Sequence, residues 1–100
     1  MPTQVKVLPI TDRALDYSKA LADRLDGLGV RVEVDERNEK IGFKIREAQM
    51  QKIPYMLVIG DKEAEEKTVA VRARGKGDLG AMSMDDFQAL LLKEIAEKAK

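Results

Sequence analysis

The run Tyr55-Met56-Leu57-Val58-Ile59 constrains the fold of this chain more than any other segment. Five consecutive apolar residues follow Pro54 and give way to Gly60-Asp61. An unbroken apolar stretch of this length is what a central strand buried on both faces requires. The chain must therefore supply covers for both sides of a sheet, and the rest of the sequence is read with that demand in view.

Gln4 to Ile10 reads as a strand, with Val5, Val7 and Pro9 on alternating positions. Thr11 and Asp12 are N-cap candidates for a helix from about Arg13 to Leu28. Its apolar positions Ala14, Tyr17, Leu21, Leu25 and Leu28 recur at helical spacing and form one buried face. Gly27 and Gly29 can adopt the left-handed backbone that ends a helix. Val30, Val32 and Val34 alternate with Arg31 and Glu33, giving a strand with one covered face. Strand, helix and strand in about 30 residues make a βαβ unit with parallel strands. A second helix runs over Glu39 to Lys52, with Ile41, Ile45 and Ala48 as its core stripe. Pro54 stops it, and Phe43 and Met50 form a second apolar line. Beyond the central strand, Gly60-Asp61 opens a turn. Thr68 to Arg74 alternates again and is expected to pair antiparallel with the central strand. Gly75 to Gly80 is a glycine-rich loop, and Leu79 to Met82 is a short edge strand. Ser83 caps a last helix whose buried face is Phe87, Leu90, Leu91 and Ile95. The order is βαβαβββα in a single domain over residues 1–100.

Lys plus Arg and Asp plus Glu are both 18, so net charge is zero, which argues against a generally basic nucleic-acid binder. The charges are segregated, however. Arg37, Lys40, Lys44, Arg46 and Lys52 outnumber Glu39 and Glu47, and Lys67, Arg72, Arg74 and Lys76 stand in a stretch without an acid. Two solvated faces, or one shared anion-binding surface, both fit this pattern. Cysteine and histidine are absent. That removes disulfides, thiolate metal sites and histidine-based acid–base chemistry. Gly75-Lys76-Gly77 lacks the spacing of a phosphate-binding loop. Asp61, Glu63, Glu65 and Glu66 match no calcium loop, and Asp35, Glu36 and Glu39 read as a solvated turn. The sequence contains no self-contained active site, and neither a metal nor a cofactor is expected.

Other polar residues carry the functional reading. The stretch Asp35 to Lys40 lies after a parallel strand and before a helix, where open α/β sheets bind ligands. Asn38 there is either a helix N-cap or a ligand contact, and the two roles are compatible. Arg46 either pairs with Glu39 or Glu47 or faces outward. Arg72 and Arg74 share one strand face by period two, which is poor core material and meets solvent or an anionic partner. A carboxylate at Glu63 can accept from N1 and N2 of guanine, and Arg72 can donate to O6 and N7. The two together would read a guanine if they converge, with an unpaired RNA base as the target. Of the four aromatic residues, Tyr17, Tyr55 and Phe87 are expected in the core, with Phe43 the exception.

The run Gly29 to Lys62 closely resembles the C-terminal anticodon-binding domain of bacterial threonyl-tRNA synthetases. The most specific pieces are Asp35-x-Arg37-Asn38-Glu39-Lys40-x-Gly42-Phe43-Lys44-Ile45-Arg46-Glu47 and Ile53-Pro54-Tyr55-Met56-Leu57-Val58-x-Gly60-Asp61-Lys62-Glu63. Val69-Ala70-Val71-Arg72 and Asp78-Leu79-Gly80 continue the resemblance. It implies an α/β fold with a mixed five-stranded sheet flanked by three helices. It also implies recognition of the threonine anticodon, whose second and third bases are G and U. Matching motif positions place the family's anticodon contacts on Asn38, Arg46, Glu63 and Arg72, with Lys40 and Lys62 as further phosphate or base contacts. The resemblance implies no catalysis by this chain alone, since the parent's catalytic and editing domains lie outside the matched motifs. The expected partners are a tRNA anticodon loop and the parent's catalytic domain, with no membrane. A cytoplasmic, monomeric, excised or engineered module is the corresponding expectation. The alternative is an α/β scaffold or interaction domain whose RNA-binding surface is idle.

Overall fold

The computed structural model describes residues 3–37 and 39–98. Nine elements follow in order: β1 (Val5–Pro9), α1 (Asp12–Asp26), β2 (Val32–Val34), α2 (Ile41–Met50), β3 (Tyr55–Ile59), α3 (Asp61–Glu66), β4 (Thr68–Ala73), β5 (Gly77–Ser83) and α4 (Met84–Lys98). The strands form one mixed sheet in the order β2-β1-β3-β4-β5. β1 is parallel to both β2 and β3, whereas β4 is antiparallel to β3 and to β5. The apolar run at 55–59 thus lies in the middle of the sheet, as its composition demands.

The pleat sorts side chains onto two faces. On one face Val5, Val7, Tyr55, Leu57, Ile59, Val69 and Val71 meet α1 and α4 through Leu21, Leu25, Phe87 and Leu91. Phe87 is fully buried, and its ring stands edge-on to Tyr55 at 5.7 Å between centroids. The other face is covered less completely. Leu8 and Met56 pack there against Ala48 and Ile53, with Ile41, Ile45 and Val58 at the margin. α2 lies over β1, and toward β5 the residues Ala81 and Ser83 remain exposed. This unequal cover leaves part of the sheet open.

Several elements depart from the sequence-based expectation. Among the described residues there are four helices, because the turn after β3 is the helical segment α3. The Glu63 carboxylate accepts from the Gly60 N–H at 3.3 Å and the Gly60 carbonyl accepts from the Ala64 N–H at 3.0 Å, closing its first turn. α3 ends at Lys67 in left-handed backbone, φ 60°. α2 begins at Ile41, not Glu39, and its N-cap position is Lys40, which makes no side-chain cap bond. α1 ends at Asp26, so Leu28 leaves the helical face and is 42% exposed, while Ser18 is buried on that face. The Thr11 hydroxyl does not cap α1. It donates to Asp61 Oδ1 at 2.6 Å, tying the starts of α1 and α3 together. β5 is longer than the expected edge strand and carries an irregularity opposite Val71/Arg72. Ser83 acts as foreseen, with its Oγ accepting from the Asp86 N–H at 3.1 Å.

Candidate functional site

The open part of the sheet is a trough with a floor, one helical wall and two differently charged ends. Its floor is set by the register. Arg72 pairs with Met56 and Ala70 with Val58 on the neighbouring strand, and Ala70 also faces Ala81 of β5. Alternation therefore puts Ala70, Arg72 and Ala81 on the α2 side of the sheet. Alanines keep this floor low. The wall is the flank of α2 that carries Gln49, which borders a groove with Arg72, Arg74 and Met56. Residues three and seven positions earlier share that flank, which places Arg46 and Gly42 along the same wall. A Cβ at Gly42 would meet nothing within 4 Å, so the upper wall is open to a bulky neighbour.

Arg46 and Arg72 are thus brought to one trough from two elements far apart in sequence. Arg46 is exposed and Arg72 half-buried. Neither guanidinium engages a described residue, in contrast to Arg24 and Arg37, which are held by carboxylates. Arg24 bonds Asp85 and Gln88, linking α1 to α4 on the covered side of the sheet. Arginines that reach solvent and engage no described partner keep their donors for an external acceptor.

Glu63 occupies the carboxyl end of the trough. Its carboxylate is held at the Gly60 N–H, and the Gly60 Cβ position also faces the Ile10 side chain. Four strand positions separate Gly60 from Met56, the partner of Arg72, or about 13 Å along the strand. Glu63 and Arg72 therefore lie at different positions along the same trough, with their backbones separated by a span that one base and two side chains can bridge. Lys62 is exposed on α3 beside Glu63, and Lys40 is exposed at the start of α2. Asn38 lies outside the described residues.

The segment leading into α2 is fixed by buried charge. Asp35 is 5% exposed, and its carboxylate accepts from Arg37 Nε at 2.9 Å and Nη2 at 2.8 Å. Arg37 also donates to Glu47 at 2.7 Å, and its guanidinium lies 5.7 Å from the centre of the Phe43 ring. The Arg37 hydrogen bonds hold the Asp35 carboxyl below the ordinary carboxylate range, against the upward push of burial. The same two carboxylates raise the Arg37 pKa, so this guanidinium stays charged. Lys44 corrects the reading of charge by segment. It is 4% exposed, and its ammonium donates to the carbonyls of Pro9 at 3.2 Å and Asp35 at 3.0 Å. It therefore joins the end of β1 to the segment after β2 and adds nothing to the outer basic surface.

Two trough residues escaped the sequence reading. Gln49 lies three positions after Arg46, and that helical spacing was the available signal. Arg74 was placed with Arg72 on one face but not counted among the contacts, although both line the same groove.

Comparison with known proteins places the chain in a family. The family described as "Anticodon binding domain" matches residues 4–94. The threonine–tRNA ligase of Clostridium novyi (strain NT) is 63% identical over 97 residues, covering 97% of this chain and 15% of that protein. The corresponding ligase of Desulforamulus reducens is also 63% identical, with the same coverage. The chain thus spans about 15% of the length of these curated relatives. The solved RNA-binding domain of threonyl-tRNA synthetase from Cryptosporidium parvum Iowa II superposes with a TM-score of 0.82 at 35% identity, covering 92% of this chain and 22% of that one. A prolyl-tRNA synthetase from Cryptosporidium parvum shares the fold, with a TM-score of 0.85 at 22% identity over 96% of this chain and 21% of that one. A family match over nearly the whole length, on a mixed sheet of the same shape, establishes that this chain belongs to the anticodon-binding domain family.

Proposed function

We propose that this chain is the anticodon-reading part of a threonyl-tRNA synthetase and binds the unpaired bases of the threonine anticodon loop. The observation that carries the reading is the trough, where Arg46 and Arg72 stand without partners among the described residues beside an open floor of small residues. Its relation to the threonine–tRNA ligases supports the choice of RNA. Arg46 and Arg72 donate to base edges or phosphates at the wall and floor, and Glu63 accepts from a base at the carboxyl end. Lys40 and Lys62 add contacts around the rim, and Asn38, which the family motif marks, is a further base or phosphate contact. Glu63 accepting from N1 and N2 and Arg72 donating to O6 and N7 would together read the central guanine. The chain performs no reaction alone and uses no cofactor. It presents the anticodon loop while a separate catalytic domain of the cytoplasmic parent enzyme acts on the other end of the tRNA, and by itself it is a monomer. Binding is weak and falls with salt, as expected where phosphate neutralisation dominates affinity.

The test is a titration of the chain with a threonine-anticodon stem-loop and with the same stem-loop carrying A for the central G, at two salt concentrations. Tighter binding of the G loop, with the difference reduced in Arg72→Gln or Glu63→Gln, is the expected result. Equal binding of both loops would reduce the surface to a non-specific basic patch. No binding at low salt would leave a scaffold and contradict the proposal.

A further inference from the structure

We infer that the groove between the C-terminal end of α2 and the β4–β5 turn holds one ribose–phosphate of the bound RNA backbone, with Arg74 as its phosphate contact. This rests on the reading of the trough as the RNA site and extends that site beyond the bases. The groove is lined by Gln49, Ile53, Met56, Arg72, Arg74 and Gly77, together with small residues of the turn. Ile53 and Met56 are buried and give it an apolar base, while two guanidiniums and an amide form its rim. That combination suits a sugar lying on hydrocarbon with its phosphate against arginine. No carboxylate lines this groove. Asp78, the cross-strand partner of Arg72, has its carboxylate turned to the Gly80 N–H at 2.8 Å. Glu94 borders the adjoining cleft with Pro54 and Tyr55, and Arg74 stands between that cleft and the groove, lining both.

The position of Arg74 is set by its backbone. Its N–H donates to the Pro54 carbonyl at 2.8 Å, so the root of the side chain is fixed beside the start of β3. Its side chain is exposed and engages no described residue. Gly75 and Gly77 adopt positive φ, 82° and 77°, which keeps the lip of the groove free of side chains on either side of Lys76. Arg72 belongs to both the trough floor and this groove. An RNA strand whose base lies on the floor therefore continues along Arg72 to Arg74, two strand positions or about 6.6 Å further on.

A phosphate contact and a base contact leave different marks on binding. The chain and its Arg74→Gln variant are titrated with the threonine-anticodon stem-loop and its central-A counterpart between about 50 and 200 mM salt. Arg74→Gln is expected to weaken both RNAs by the same factor, roughly three- to tenfold at the lower salt. The slope of log affinity against log salt should become shallower by about 0.7, the contribution of one single-strand phosphate. Single methylphosphonate replacements along the loop locate the contact, because one position should cost affinity in the unsubstituted chain and nothing further in Arg74→Gln. An unchanged affinity and slope in Arg74→Gln, with base preference intact in the original chain, would overturn this inference and leave the trough reading standing. A loss confined to the central-G loop would also overturn it, since Arg74 would then be reading a base. If the original chain binds neither RNA, both readings fall together. Thermal unfolding of Arg74→Gln should match the original chain, because Arg74 meets the fold through its backbone.

Discussion

Replacing Phe87 by alanine separates the two faces of the sheet experimentally. Phe87 is fully buried on α4 and stands edge-on to Tyr55 of β3, with the ring planes at 77°. Together with Met84 and Leu91 it attaches α4 to the sheet. Deleting such a ring removes its transfer free energy and leaves a cavity, at a cost of about 3–5 kcal/mol. Of this, about 0.5–1.5 kcal/mol is the aromatic pair itself. Domains of this size are stable by roughly 5–15 kcal/mol, so the change consumes a large share of the total. At about 4–8 °C per kcal/mol, melting should fall by at least roughly 12 °C. Urea unfolding followed by circular dichroism gives the free-energy change, and Phe87→Leu supplies a milder variant if Phe87→Ala does not fold. The trough lies on the opposite face, so the folded fraction of either variant should bind the anticodon stem-loop within about twofold of the original chain. A stability loss below about 1 kcal/mol in Phe87→Ala would refute the assignment of the core. An altered base preference in the folded variant would refute the separation of the faces.

The trough itself predicts the converse behaviour. Arg72→Gln and Arg46→Gln should leave urea unfolding within about 0.5 kcal/mol of the original chain, while Arg72→Gln lowers RNA binding by about 1–3 kcal/mol and relaxes base preference. Calorimetric titration of both loops checks this. Asp35 predicts an acid-side effect with a definite sign. Its folded pKa lies below the unfolded value of about 3.9, so its stabilisation is complete above roughly pH 5 and disappears as pH falls through the folded value. Asp35→Asn should cost about 1–3 kcal/mol at pH 7, and its stability difference from the original chain should shrink toward pH 3 in urea titrations. Lys44→Met leaves the Pro9 and Asp35 carbonyls without their buried donor, with an expected loss of about 1–3 kcal/mol by chemical unfolding. Unchanged stability there would mean that desolvating the ammonium costs as much as its hydrogen bonds return.

Strong periodicity made most of the sheet legible in the sequence. The apolar run at 55–59 and the alternation at 68–73 carry their burial in their composition, and the structure buries them accordingly, whereas β1 is buried along its whole length, Lys6 included, rather than on alternate positions. α3 was illegible because six residues, Asp-Lys-Glu-Ala-Glu-Glu, offer Ala64 as their only apolar side chain. Its signal was the glutamate three residues after Gly60, a capping pattern rather than a hydrophobic one. Lys44 shows the limit of counting charge along a segment. Its helix phase placed it with Ile41 and Ala48 on the covered side, and only the carbonyls of two strand ends in three dimensions give its ammonium a reason to be there. Arg46 and Arg72 were singled out by residue type, but their convergence depends on α2 lying over β1 and leaving β4 open, which no local pattern records. The place of Arg72 along the trough has the same origin, since the antiparallel register opposes it to Met56.

The central claim, that RNA occupies the open α2–β5 face of the sheet, is tested most directly by backbone amide NMR shifts of the labelled chain on addition of the threonine-anticodon stem-loop. RNA in the trough should shift Gly42, Arg46, Gln49, Ala70, Arg72 and Ala81, with α1 and α4 unmoved at Arg24, Asp85 and Leu92. Shifts concentrated on α1 and α4, with the trough silent, would contradict it.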